Sequence, residues 1–280
     1  MDISRSEHPL FERFPLTGET QLSTGPAPVP YHIYDGHGVF IGGTADAAAT
    51  AELLRNETVQ PMTDTTGRAL MGFWALDLTA ASHDPHHEFQ VSLLVSRQPA
   101  RPIKAGTLAT AEALMTRPEA RLFCHGLWNN TPRVVAYNRE HLGLNARLTT
   151  STIVHEPGRL HFSAQTPDGA SIAQGSLRMG RGSLWTTFEL MQRLGLTGAQ
   201  RLAAQPWFEM RVVNPIGLRP ANDAAFTASH NGINVLRPFD RRHETLEFGE
   251  PGYARLDFRP AYVQELESIR FVYLDPAPDA

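Results

Sequence analysis

The densest group of side chains able to do chemistry is His83-Asp84-Pro85-His86-His87-Glu88, three imidazoles and two carboxylates in six residues. Histidine and carboxylate ligands suit zinc, iron or nickel. The spacing matches no closed metal motif, and Pro85 removes the i, i+4 histidine pair that a helix would offer. On a strand, His86 and Glu88 share one face and His87 takes the other. A polar loop leading into a strand accounts for the run without a metal, so no metal or other cofactor is expected, with His86 and Glu88 as the alternative metal pair. Glu88 heads the apolar run Phe89 to Val95. A carboxyl pointing from there into a core has its pKa raised by desolvation and can exchange protons near neutrality. At an exposed strand end it would be an ordinary surface glutamate. Glu88 and His86 are the first two candidate catalytic residues.

A second constellation runs from Trp128 to Leu148, polar and hydrogen-bonding between two apolar strands. Arg147, the third catalytic candidate, or Arg139 could hold a carboxylate or oxyanion bidentately. For each arginine the alternative is a solvated surface residue. Asn130 and Asn145 are candidate hydrogen-bond donors to a substrate, Trp74 and Trp128 complete the substrate-binding set, and Arg139-Glu140 could pair. Cys124-His125 resembles a nucleophile and base, but strand neighbours point to opposite faces, so Cys124 reads as a small buried hydrophobe. No phosphate-cradling glycine loop and no G-x-S-x-G elbow is present. Lys104 is the single lysine among 25 basic residues, in a Pro/Gly-flanked connection of the kind that lies at the surface.

The elements that must position these residues are mostly strands. The proline-rich first 30 residues read as irregular. Alternation and turn residues predict strands over 31–41, 69–78, 88–96, 122–128, 148–154, 160–165, 208–213, 224–230, 254–258 and 269–274. Helices are expected over 44–55, capped by Thr44, over 108–115, and over 183–194. The last of these has Ser183 as its cap, Leu184, Phe188 and Met191 as an apolar stripe, and Gly195 as its stop. Many strands and few helices without regular alternation predict an α+β, mainly antiparallel β architecture. No long linker interrupts the 280 residues, so one domain is expected, with 1–30 as an irregular leader to 31–275.

Composition narrows the function. A net charge of −4 argues against a nucleic-acid or anionic-membrane binder. No apolar stretch reaches membrane-spanning length, and the first residues form no signal peptide, so a cytoplasmic protein is expected. One cysteine allows no intrachain disulfide.

The order of elements resembles the acetoacetate decarboxylase family. That family carries glutamates on its strands, followed by a segment of the form T-x-x-A-x-x-x-G-R-E-x-x-G-x-P-K. Thr131 to Arg147 is a degenerate version, with Arg139-Glu140, Gly143 and Leu148 in matching order. The resemblance implies a β-cone or barrel with peripheral helices, spanning Tyr31 to about Leu274, and a pocket glutamate at Glu88. It also implies a Schiff-base lysine, a mechanism for which acetoacetate decarboxylase is the standard example. Here the Pro-Lys pair falls on Asn145-Ala146, a second family glutamate falls on Trp74, and no early arginine stands near Gly43. Alanine forms no imine. The expectation is an enzyme acting on a small organic acid or ketone by non-covalent acid–base chemistry and charge stabilisation. The alternative is a non-catalytic small-molecule binder on the same scaffold. A homo-oligomer is an open possibility.

Overall fold

The structure, a computed structural model, describes residues 8–180, 182–204, 208–213, 215 and 225–274. The chain opens with α1 (Pro9–Arg13), β1 (Gly18–Leu22) and β2 (Gly25–Val29). The expected irregular leader is thus a helix and an antiparallel hairpin across its described part. The prolines explain both the misreading and the outcome. Thr17 N donates to Val29 O at 2.7 Å, so the odd-numbered residues of β2 face β1, and Pro26 and Pro28 place their missing N–H groups on the open edge.

There follow β3 (Tyr31–Ala45), α2 (Ala47–Leu53), β4 (Gln60–Pro61), β5 (Ala69–Ala81), β6 (His86–Ser96), α3 (Ala109–Thr116) and β7 (Arg121–Asn129). Next come α4 (Pro132–Ala136), a π-helical turn (Tyr137–His141), β8 (Ala146–Leu148), β9 (Thr150–Glu156), β10 (Arg159–Gln165) and β11 (Ser171–Arg178). The chain continues through α5 (Leu184–Ala204), interrupted at Gly195 (φ 65) where the first helix stops as expected, then β12 (Phe208–Val213), β13 (Ala225–Pro238), β14 (Thr245–Phe248), α6 (Pro251–Ala254) and β15 (Arg259–Leu274). β3 runs through Thr44, so Asp46 rather than Thr44 caps α2, accepting from Ala49 N at 2.8 Å. The strand expected at 254–258 is instead the end of α6 and a turn in which Asp257 has φ 43. Among the described residues no helix is long and apolar enough to cross a membrane.

The strands form a nine-stranded sheet in the order β4-β6-β5-β3-β15-β13-β12-β7-β8 and a four-stranded sheet β14-β11-β10-β9. β6 also pairs with β7, which rolls the large sheet back on itself. Pairing is antiparallel except for β7 with β12 and with β8. Strand alternation gives the large sheet two different faces. On the outer face Phe73, Ala75, Phe89, Val91 and Leu93 pack against Leu160, Phe162 and Ala164 of the small sheet. On the inner face Tyr31, Leu76, Leu78, Leu94, Cys124, Leu127, Ala146 and Tyr273 form a second core. Gly42 and Gly72 pair across β3 and β5. A Cβ at either would stand 2.2 Å from the Tyr262 or Phe40 ring, so glycine lets those aromatics lie flat on the sheet.

A buried ion network ties β13 and β15 to the end of β11. Arg237 Nε donates to Glu265 Oε1 at 2.8 Å, and Nη1 to Glu244 Oε2 at 2.9 Å. The remaining carboxylate oxygens accept Gly180 N at 2.7 Å and Arg178 N at 2.8 Å. Every partner is satisfied, the condition under which buried charge is tolerated.

Candidate active site

Glu88 is the only carboxylate among the described residues of β6, and it points to the inner face, 2% exposed. Register fixes its surroundings. Leu76 of β5 and Asn129 of β7 lie directly opposite it, and His86 opposite Leu78 is one step along the same face. Asn129 Nδ2 donates to Glu88 Oε2 at 3.2 Å, and Asn138 Nδ2 donates to Asn129 Oδ1 at 3.0 Å, so the amide is held in one orientation. Burial raises the Glu88 pKa from its ordinary 4.5 to about 7, and the Asn129 hydrogen bond opposes that rise. At neutral pH both protonation states are populated.

His86 Nε2 stands 4.0 Å from Glu88 Oε2. The His86 Nδ1 contact with Asp84 O, at 2.9 Å, requires the hydrogen on Nδ1, because a carbonyl only accepts. The Nε2 lone pair is then free to accept from the Tyr31 hydroxyl at 3.2 Å. Burial lowers the His86 pKa to about 4, so the ring is neutral at pH 7. Tyr31 and Tyr273 are buried close enough to Glu88 that burial first, and its charge second, push their pKa values up. The His83 ring stacks on Tyr31 at 4.4 Å between centroids and tilts against Tyr137 at 4.5 Å. Both His83 nitrogens are buried without a hydrogen-bond partner, and burial lowers its pKa to about 3.

The structure divides the sequence-predicted set. Glu88, His86 and Trp74 share the inner face, Trp74 lying opposite Gln90. Its indole N–H is buried without a partner. His87 takes the outer face, as alternation requires: its Nδ1 lies 3.0 Å from Ser151 Oγ, and its Nε2 3.9 Å from Asp77. Arg147 does not join Glu88. It pairs in register with Trp128, which lies opposite Phe89, so both side chains sit on the outer face. The Arg147 guanidinium stacks over the Trp128 ring at 5.0 Å and reaches Glu250 at 3.4 Å. The expected clamp on a substrate at Glu88 is therefore corrected to an outer-face contact of α6, and Trp128 moves with it. Asn145 donates to His125 O at 2.8 Å, a backbone brace. Asn130 accepts from His87 N at 2.8 Å. Arg139 is exposed, and Glu140 is held by Ser23 N at 2.8 Å, anchoring the β1–β2 hairpin. Among the described residues no three His, Cys, Asp or Glu side chains are placed to hold a metal ion.

Sequence reasoning does not single out Tyr31, Asn129, Tyr137, Asn138 or Tyr273 as site residues, and it places His83 only in the histidine run. The signal for Asn129 was available: it is the polar end of an apolar strand, as Glu88 is of its own. The lysine position of the resemblance, Ala146, is 1% exposed and lies on the inner face beside Leu127. Lys104 is exposed on the connection before α3. Cys124 is buried opposite Ser92, and burial raises its thiol pKa well above the usual value.

No family model matches the chain, and neither does any curated protein at the level of sequence. Solved structures do. The acetoacetate decarboxylase of Legionella pneumophila subsp. pneumophila str. Philadelphia 1 superposes with a TM-score of 0.57 at 11% identity, covering 93% of this chain and 90% of that one. A second acetoacetate decarboxylase structure gives a TM-score of 0.55 at 9% identity, over 89% of this chain and 91% of the other. The rolled sheet with its small packed sheet has the acetoacetate decarboxylase-like fold, and Ala146 stands where the resemblance places the lysine.

Proposed function

We propose that the protein is an enzyme on this scaffold that moves a proton on a small organic acid or ketone through Glu88, without an imine. The observation that carries the reading is a buried carboxyl brought to a pKa of about 7, fixed by an amide on one side and facing the neutral His86 ring on the other. Such a group serves as acid and as base at neutral pH. In an isomerisation, the carboxylate takes the proton from a carbon beside a carbonyl, the electron pair moves onto the carbonyl oxygen as an enolate, and Glu88 returns the proton elsewhere. In a decarboxylation, the C–C bond breaks, carbon dioxide leaves, the enolate holds the electron pair, and the acid form of Glu88 protonates carbon. His86, whose Nε2 accepts from the Tyr31 hydroxyl, sets a neutral ring beside Glu88 and brings no charge that would fix the carboxyl in one protonation state. Lyase or isomerase chemistry on a small metabolite is the resulting class.

The second reading, a non-catalytic binder, is favoured by Ala146 and by the outward turn of Arg147. Deuterium exchange distinguishes them. Wild-type protein should accelerate exchange of the α-protons of acetoacetate or pyruvate in D2O, read by proton NMR. Glu88→Gln should lower that rate by about 10²- to 10⁴-fold. Wild-type exchange no faster than the variant, with either acid bound, favours the binder.

A further inference from the structure

The apolar stripe of α5 faces solvent. Leu184 is 91% exposed, Trp185 72%, Phe188 51% and Met191 38%. This is not a loosely placed helix. Ser183 Oγ accepts from Thr186 N at 3.2 Å to cap it, and Ser183 N donates to Leu236 O at 3.1 Å. Thr186 is buried, and Leu190 packs against Phe40, Leu108 and Tyr262. Arg193 fastens the inner side, donating to Glu112 at 2.7 Å, to Glu189 at 3.1 Å and to Lys104 O at 3.1 Å. The amphipathic pattern is satisfied twice: a mixed polar and apolar face grips the domain, and an apolar face is held outward.

We propose that this outward face of α5 pairs with the same face of a second copy of the chain, two α5 helices lying antiparallel about a two-fold axis near Phe188. Three observations favour a second copy over other occupants. First, the exposed residues of the face, Leu184, Trp185, Thr187, Phe188, Met191 and Gln192, include no charge, so self-pairing brings no like charges together. A membrane-surface helix would instead carry lysine or arginine along its rim. Second, the spacing is self-complementary. With Phe188 on the axis, the two Phe188 rings meet, Trp185 meets the region of Met191 from the partner and Leu184 that of Gln192, so apolar residues face uncharged ones at each level. Third, the area is sufficient. At about 150–250 Å² per large side chain, the exposed fractions leave roughly 500 Å² of apolar surface per copy. Two copies bury about 1,000 Å², the lower end for a specific interface. A patch of that size is at the upper end of what a monomer leaves uncovered. The pairing is therefore weak and concentration-dependent.

The single cysteine makes the geometry testable, because Cys124 is buried and unavailable for cross-linking. Sedimentation velocity from low to high micromolar protein should show wild type moving from monomer to dimer. Phe188→Glu should stay monomeric over the same range while keeping the wild-type melting temperature and circular dichroism. Under mild oxidation Phe188→Cys should form a covalent dimer, and Glu52→Cys, exposed on α2, should not. A wild type that is monomeric throughout, or a dimer indifferent to Phe188→Glu, overturns the proposal. So does flotation of wild type, lost in Phe188→Glu, with vesicles of phosphatidylcholine and phosphatidylserine, which would assign the face to a membrane surface.

Discussion

Glu88→Gln should melt several degrees higher than wild type at a pH of about 8.5 and at nearly the same temperature near pH 4.5. The sign follows from the shift. The folded-state pKa is raised from 4.5 to about 7 by burial. Between those values the folded protein keeps a proton that the unfolded chain releases. The wild type is therefore unpenalised below about pH 4.5 and loses stability as pH rises through 7. The gap corresponds to roughly 3 kcal/mol when Glu88 is fully ionised, and each kcal/mol moves the melting temperature of a domain this size by about 2–4 °C. Gln keeps the shape and the contact with Asn129 but carries no charge to bury. Buried histidines act oppositely: His32, His86 and His125 are each lowered to about 4, chiefly by burial. They cost stability as pH falls from 6.5, but equally in both proteins, so the difference isolates Glu88. Thermal melts across pH are the check. A variant that is less stable than wild type at every pH would mean that the glutamate is structural.

The largest purely structural effect should come from Arg237. Arg237→Met leaves Glu244 and Glu265 buried without the cation that both now contact. Removing one member of a buried, hydrogen-bonded ion group costs about 3–5 kcal/mol. Both carboxylates would still accept backbone N–H groups from Arg178 and Gly180, which tempers the loss without cancelling it. Replacing the glutamates with glutamine as well (Arg237→Met with Glu244→Gln and Glu265→Gln) should recover part of the stability, because no unpaired charge remains. Urea unfolding of the single and triple variants measures both. A loss below about 1 kcal/mol for the single variant would show the network to be solvated and dispensable.

How much of this was legible in the sequence differs by residue, for physical reasons. His86 and Glu88 could be set on one face, and His87 on the other, because a strand alternates strictly and Pro85 fixes where it begins. The same rule applied to Ala146 and Arg147 separates them, since neighbours on a strand cannot both face the site. The sequence reading treats that segment as a loop, where alternation has no force, and so makes Arg147 a clamp. What places it is the parallel pairing of Leu127 with Ala146, a long-range register that no local pattern encodes. Tyr31, at the start of its strand, and Asn138, in a π-helical turn, join the site through tertiary packing alone, Tyr31 through His86 and Asn138 through Asn129. The Leu184, Phe188 and Met191 stripe was visible, but periodicity shows only that a helix has an apolar face, not what covers it. The prolines of β2 read as disruption until the hairpin shows that they lie on its open edge.

The claim on which the proposed function stands is that Glu88 is a buried carboxyl titrating near neutrality beside a neutral His86. Carbon-13 NMR of the glutamate side-chain carboxyls, recorded across pH with the Glu88→Gln spectrum used to assign the resonance, measures it directly. The expected result is one glutamate signal, absent in the variant, with a midpoint near 7. A midpoint near the ordinary 4.5 would mean that the carboxyl is solvated and would contradict the account.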